Sequence, residues 1–314
     1  MLVVGMHRSG TSALTGALSR LGLVLPAGDD LVSGQYDNPV HYESRALNDL
    51  DDTILVALGG SWSAPPTPDP GWEGSPALHD VTATAARAAR RAFPLDGPVL
   101  WKDPRLCLLL PLWRTLLPAP MVTVFLWRDP LAVARSLRAR QGFPLSLGLA
   151  LWERYTRDAV SGLAGHPGYV LGYEELLADP GAALRPVAHW LGAAGRVSLD
   201  VDDDMLSAAA ASVTGPSVTG PSARPDSVGE LPDVIGVAVE TLKSMTGPHD
   251  SVPDISLPDR PSWMADVLAL RHDYEDLYSR YMRYVRLRRK IPFVGGSGRG
   301  RQRGGVAPPK PGAR

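Results

Sequence analysis

Short apolar runs alternate along the chain with longer stretches whose apolar residues recur every three or four positions. Residues 2–4 (Leu-Val-Val) form an apolar triplet, followed by a glycine-bounded loop over 5–10. From 11 to 21, Leu14, Ala17, Leu18 and Leu21 repeat at helical spacing, which predicts a helix. The same spacing at Leu47, Leu50, Ile54, Leu55 and Leu58 predicts another over 44–58. An Ala/Arg-rich helix is expected over 76–93. Residues 99–101, 121–127 and 169–172 read as further strands; 121–127 is apolar almost throughout, as in a strand buried on both faces. Helices are expected after each, including 173–178 and 181–191, and a long one over 261–290. This alternation predicts βαβ units, a mostly parallel sheet closed right-handed, and a three-layer α/β/α fold.

Punctuation sets the domain limits. Residues 61–76 are rich in Pro, Gly and Trp and predict an irregular loop. Within 212–226 the five residues Ser-Val-Thr-Gly-Pro occur twice in succession, a low-complexity stretch. Residues 291–314 lose their apolar content to Gly, Pro and Arg. One domain over 1–290 and a disordered basic tail over 291–314 are expected. No acid follows Arg280, so the tail could touch an anionic surface or simply be solvated.

Composition then removes several classes of function. At 314 residues and 44% hydrophobic, the chain can bury a large core. A net charge of −1 gives no reason to expect nucleic acid as a partner. The one cysteine, Cys107, excludes an intrachain disulfide and a cysteine-based zinc site; inside the apolar run 106–110 it reads as core. No run reaches the roughly 18–20 apolar residues of a membrane helix, and the first residues lack a signal-peptide pattern. A cytoplasmic protein without a transmembrane segment is expected.

The chemistry is concentrated at Gly5-Met6-His7-Arg8-Ser9-Gly10-Thr11-Ser12, between a strand and a helix. Such a loop turns successive N–H groups onto an anion, the helix N-terminus adds partial positive charge, and Thr11 and Ser12 add hydroxyls. The glycine spacing is that of P-loop nucleotide-binding proteins. However, Thr11 stands where nucleoside triphosphatases have lysine, and the strand 121–127 ends in Trp127-Arg128 rather than an acid. The loop suits a phosphate and suits ATP hydrolysis poorly.

Arg8-Ser9-Gly10-Thr11-Ser12 resembles the 5′-phosphosulfate loop of the sulfotransferases that use 3′-phosphoadenosine-5′-phosphosulfate (PAPS). A second segment agrees: Arg128-Asp129-Pro130 through Ser136 resembles the family's arginine at a strand end and serine eight residues later, which hold the nucleotide's 3′-phosphate. Pro130 suits the first turn of a helix, and the arginine would give a charge-assisted contact. Trp101-Lys102-Asp103-Pro104-Arg105 resembles the Lys-Asp-Pro segment whose lysine approaches the sulfuryl group. Tyr173-Glu174-Glu175-Leu176 resembles the segment whose tyrosine lies near the adenine. Together these cover residues 5 to about 180.

The resemblance implies in-line sulfuryl transfer from PAPS to a hydroxyl or amine, without a metal and with PAP, the desulfated nucleotide, as product. Arg8 would steady the leaving phosphate and Lys102 the sulfuryl oxygens. Glu43, in Asp37-Asn38-Pro39-Val40-His41-Tyr42-Glu43, resembles a glutamate that opens a helix and faces the acceptor. It is the candidate base, with His41 in reserve; the alternative for Glu43 is an acid that steadies the helix dipole at Ser44. His7 reads as structural. The family's late basic segment over the 3′-phosphate is replaced here by the Ser-Val-Thr-Gly-Pro repeat, with Arg224 as its cation. Residues 61–72, with Trp62 and Trp72, and residues 35–42 are expected to shape a pocket for a carbohydrate, glycosylated or other small-molecule acceptor. A P-loop kinase and a non-catalytic nucleotide-binding module are the alternatives. None of these motifs fixes an oligomeric state.

Overall fold

The computed structural model describes residues 1–26, 30–33, 40–92, 98–117, 121–193, 197, 199–213 and 231–290. β1 (Leu2–Val4) leads through the glycine-bounded loop into α1 (Thr11–Ser19). An antiparallel pair follows, β2 (Leu31–Ser33) and β3 (Val40–Ser44), which the hydrophobic pattern does not announce. α2 (Arg45–Ala57) begins where Ser44 caps it, Leu47 N donating to Ser44 Oγ at 3.1 Å. Single 3-10 turns at Trp72–Gly74 and Pro76–Leu78 precede α3 (His79–Ala92), so the helix expected from 76 starts with a tighter turn.

β4 (Trp101–Lys102) and α4 (Leu106–Leu116) come next, then β5 (Thr123–Trp127), α5 (Pro130–Gln141) and α6 (Leu145–Leu163). β6 (Gly168–Gly172), α7 (Tyr173–Ala178) and α8 (Pro180–Gly192) complete the part that periodicity foresaw. Two helices begin with Asp-Pro: Asp129 accepts from Ala132 N at 2.7 Å and Asp179 from Ala182 N at 2.9 Å, each proline taking a position that needs no N–H. α9 (Asp203–Ala211), α10 (Asp233–Ser244), β7 (Gly247–His249) and the long α11 (Ser262–Lys290) close the described chain.

Among the described residues, five strands form one sheet in the order β4-β1-β5-β6-β7, parallel except for β7. The strand expected at 99–101 is displaced to Trp101–Lys102, and Val99 makes an isolated bridge to Val24. Successive residues of each strand face opposite sides. Leu2, Val4, Phe125, Trp127 and Val170 enter one buried cluster with residues of α2, α4, α5 and α6. Val3, Val124, Leu126, Tyr169 and Leu171 enter a second with residues of α1, α8 and α9. The fold is therefore three-layer α/β/α. Cys107 lies fully buried in the first cluster, as expected. The repeat from residue 214 on, Arg224, the tail over 291–314 and residues 35–39 of the expected acceptor segment lie outside the described residues. Because β1, β4, β5 and β6 run parallel, the segments after them gather at one edge of the sheet, where ligands of open α/β sheets bind.

Candidate functional site

The loop after β1 is held in a conformation that few residues adopt. Arg8 (φ 70°) and Gly10 (φ 86°) are both in the left-handed region, the alternation that makes a concave nest of N–H groups. Gly10 is also the N-cap of α1 and offers no side-chain acceptor to the first turn. A Cβ there would strike the ring of Tyr173. Ser9 is 1% exposed, and its Oγ has no hydrogen-bond partner among the described residues. A buried hydroxyl left so is costly unless a ligand meets it.

Two groups of side chains flank this loop. On one side, Arg8 Nε donates to Ser136 Oγ at 2.9 Å and Arg128 Nη1 donates to the Arg8 carbonyl at 3.0 Å. The Arg128 guanidinium lies 4.6 Å from the centre of the Tyr173 ring, while its buried Nε has no partner among the described residues. Trp152 Nε1 donates to the Arg128 carbonyl at 2.9 Å and fixes the corner between β5 and α5. Arg8, Ser9, Gly10, Arg128, Ser136 and Tyr173 thus come together. Arg8, expected at a leaving phosphate, has its Nε on the serine expected to hold a 3′-phosphate. Tyr173 is 4% exposed, with Arg128 on its face.

On the other side, Lys102 (1% exposed) forms an ion pair with Glu43 and donates to Ser12 Oγ at 3.2 Å. Ser12 Oγ donates to the His41 carbonyl at 3.3 Å, and Asn48 Nδ2 donates to Glu43 Oε2 at 2.6 Å. Thr11, in the same turn, is buried, and its carbonyl accepts from Thr15 Oγ1 at 2.7 Å. Lys102, Glu43, His41 and Ser12 therefore meet as well. Glu43 does not open a helix as the resemblance implied: it sits on β3, one residue before the cap Ser44. The strand, running antiparallel to β2, turns its carboxylate onto Lys102.

The electrostatics follow from burial and pairing. Burial alone would raise the Glu43 carboxyl; the Lys102 charge, with hydrogen bonds from Lys102 and Asn48, outweighs it and brings the pKa down to about 2. Burial lowers His41, which keeps its ring neutral near pH 7. Burial, then the charge of Arg105, carries His7 down to about 3. Its neutral ring packs 4.6 Å from Trp62 and 5.7 Å from Tyr155, the structural role expected of it. Trp62 also stacks at 5.8 Å on Phe143, and Trp72 packs against the larger core cluster, so both rings serve packing and Trp62 in particular is flanked by other rings.

Sequence reasoning missed the layer beneath Lys102. Arg105 donates from Nε to Asp52 at 2.6 Å, from Nη2 to its second oxygen at 3.0 Å, and from Nη1 to Asp103 at 3.1 Å. Trp113 Nε1 donates to Asp51 at 2.8 Å, and Asp51 and Asp103 are both fully buried. Burial, then Asp103, raises Asp51 well above the ordinary aspartate range; burial raises Asp103 despite Arg105. The available signal was Asn48 and Asp52, one turn apart on α2, facing Glu43 and Arg105.

No protein-family model matches the chain, and no curated protein matches it. Among solved structures, the sulfotransferase domain of the olefin synthase from Synechococcus PCC 7002 is similar at 16% identity and a TM-score of 0.40, over 86% of this chain and 92% of that one. A sulfotransferase domain of the curacin biosynthetic pathway is similar at 12% identity and a TM-score of 0.42, over 86% of this chain and 96% of that one.

Proposed function

We propose that the chain is a sulfotransferase that takes a sulfuryl group from PAPS and delivers it to a hydroxyl or amine of a carbohydrate or other small-molecule acceptor. One observation carries the reading. A phosphate loop with a buried, unanswered Ser9 hydroxyl lies between a cationic group on an aromatic ring and a buried lysine–carboxylate pair. The residues suit the nucleotide: Ser9, Thr11, Ser12 and the nest would take the 5′-phosphosulfate, Arg128 and Ser136 the 3′-phosphate, and the edge of Tyr173 the adenine. Threonine rather than lysine at position 11 suits a donor other than Mg-ATP.

PAPS supplies an activated sulfuryl group when bound; the rest is the work of this chain's side chains. Arg8 and Lys102 supply positive charge on the two sides of the loop, where charge grows during an in-line transfer. Glu43 takes the acceptor's proton. Paired with Lys102 it is a weak base, because the ammonium stabilises its ionised form. Sharing Lys102 with a bound anion, as Ser12 already shares it, raises the basicity of Glu43 when donor is present. His41, neutral near pH 7, is the second group able to accept that proton.

Calorimetric titration with PAP, and with ATP in parallel, tests the donor site. PAP is expected to bind in the micromolar range and ATP far more weakly, with Arg128→Ala weakening PAP by about 1.5–3 kcal/mol, the worth of a charged hydrogen bond. ATP binding better than PAP, or an Arg128→Ala variant that binds PAP unchanged, overturns the assignment.

A further inference from the structure

α11 turns only one flank toward the body of the protein. Met264 and Leu268 are buried, while Arg271, His272 and Glu275 bond the segment 61–66. A second row faces solvent: Leu270 is 66% exposed, Tyr274 47%, Leu277 68%, Tyr281 45% and Tyr284 54%. Single exposed apolar residues are ordinary. These five are spaced four, three, four and three apart, a seven-residue repeat that runs for about 21 Å along the helix. A row of that period is the seam of a coiled coil, whose knobs need the holes of another helix.

The charges beside the row indicate which helix. Exposed Asp266 and Asp273 flank the row in the first half of α11, and exposed Arg280, paired at 2.7 Å with Asp276 of its own helix, flanks it in the second. A copy laid parallel would set arginine beside arginine. A copy laid antiparallel, with the two-fold axis at Leu277, sets Leu270 against the partner's Tyr284 and Asp273 beside the partner's Arg280. Both faces are then the same patch, as a two-fold dimer requires. An anionic lipid surface suits the row less well, because Asp266 and Asp273 flank it and would be repelled.

We propose that the chain pairs with a second copy of itself through α11, antiparallel and centred on Leu277. Sedimentation of the full chain is expected to show a dimer that dissociates on dilution. Leu277→Arg, at a position two-thirds exposed in the single chain, is expected to give a monomer with an unchanged circular dichroism spectrum. Because the only native cysteine, Cys107, is buried, cysteine cross-linking reads the register. Leu277→Cys is expected to form an intermolecular disulfide under mild oxidation. Leu270→Cys is expected not to, since its own copy lies about 21 Å away and a disulfide spans Cα atoms some 4.4–6.8 Å apart. A wild-type monomer at every concentration, including one that sediments with phosphatidylserine vesicles, overturns the proposal. So does cross-linking of Leu270→Cys as readily as Leu277→Cys, the mark of a parallel pair.

Discussion

The two fully buried aspartates under Lys102 present opposite demands on neighbouring residues. Asp103 receives the Arg105 guanidinium and backbone N–H, so it is the ionised member. Asp51 receives Trp113 on one oxygen and meets the Asp103 carboxyl with its side chain, a contact that requires a proton on one of the two acids. A carboxylate buried so is strongly disfavoured, and its raised pKa means that it keeps a proton. An acid whose folded pKa is raised contributes stability that is full below its unfolded value, 3.8 here, and is lost as pH rises toward the folded value. Asp51→Asn supplies the neutral form permanently. The variant is expected to match wild type near pH 4 and to melt at a higher temperature than wild type at pH 8, the gap widening as pH rises, measured by thermal melts across pH. Asp103→Asn is expected to cost about 1.5–3 kcal/mol at pH 8, because Arg105 loses a charged acceptor, and to disturb the adjacent Lys102. Glu43 behaves in the reverse sense: its contribution is present above 4.5 and disappears as pH falls toward about 2.

At the scale of elements, the loop between β1 and α1 is fixed by its fit to α7. Gly10 has φ 86°, and a methyl group there collides with Tyr173. A non-glycine residue in the left-handed region costs about 1 kcal/mol by itself, and a collision in a packed site typically a further 1–3 kcal/mol. Gly10→Ala is therefore expected to destabilise by about 2–4 kcal/mol. Adding Tyr173→Ala removes the collision but not the backbone strain, so a double-mutant cycle in denaturant is expected to show favourable coupling above 1 kcal/mol; additive effects would mean that the two elements do not touch. The same elements mark what the sequence made legible. β1, α1, α2, β5, β6 and α7 announce themselves by period and by glycine or Asp-Pro punctuation, and the loop and Arg128 follow from them. The β2–β3 pair does not, because residues 40–44 (Val-His-Tyr-Glu-Ser) alternate only weakly and are paired by tertiary contact. The pattern starts the helix only at Ser44, and it was the family resemblance that set Glu43 at a helix opening instead of on β3. The Asp51–Asp103–Arg105 layer was illegible for a related reason: its members look like an exposed helix face and a strand-end loop until α2 and β4 meet.

Across the whole molecule, one carboxylate couples the sheet's helical layer to the C-terminal part. Glu153, on α6, is fully buried and receives Arg157 at 2.6 Å and Arg260 at 2.5 Å. Arg157 also donates to the carbonyls of Leu257 and Pro258, so the segment leading into α11 is tied to α6 by both arginines. α11 in turn grips the 61–66 loop: Ser61 and Ser63 donate to Glu275, and Arg271 lies 4.8 Å above the Phe143 ring, on which Trp62 stacks beside His7. Removing one partner of a buried ion pair costs about 3–5 kcal/mol, because the remaining charges stay desolvated. Glu153→Gln is expected to spend that cost locally, since few buried apolar side chains hold 253–261 apart from Leu257. Hydrogen exchange is expected to accelerate over 253–261 and the first turns of α11 while β1, β5 and β6 keep wild-type protection. Equal acceleration in the sheet would mean that Glu153 supports the whole fold at once. Protection unchanged at 253–261 would mean that α11 is anchored by its own contacts with the 61–66 loop, independently of α6.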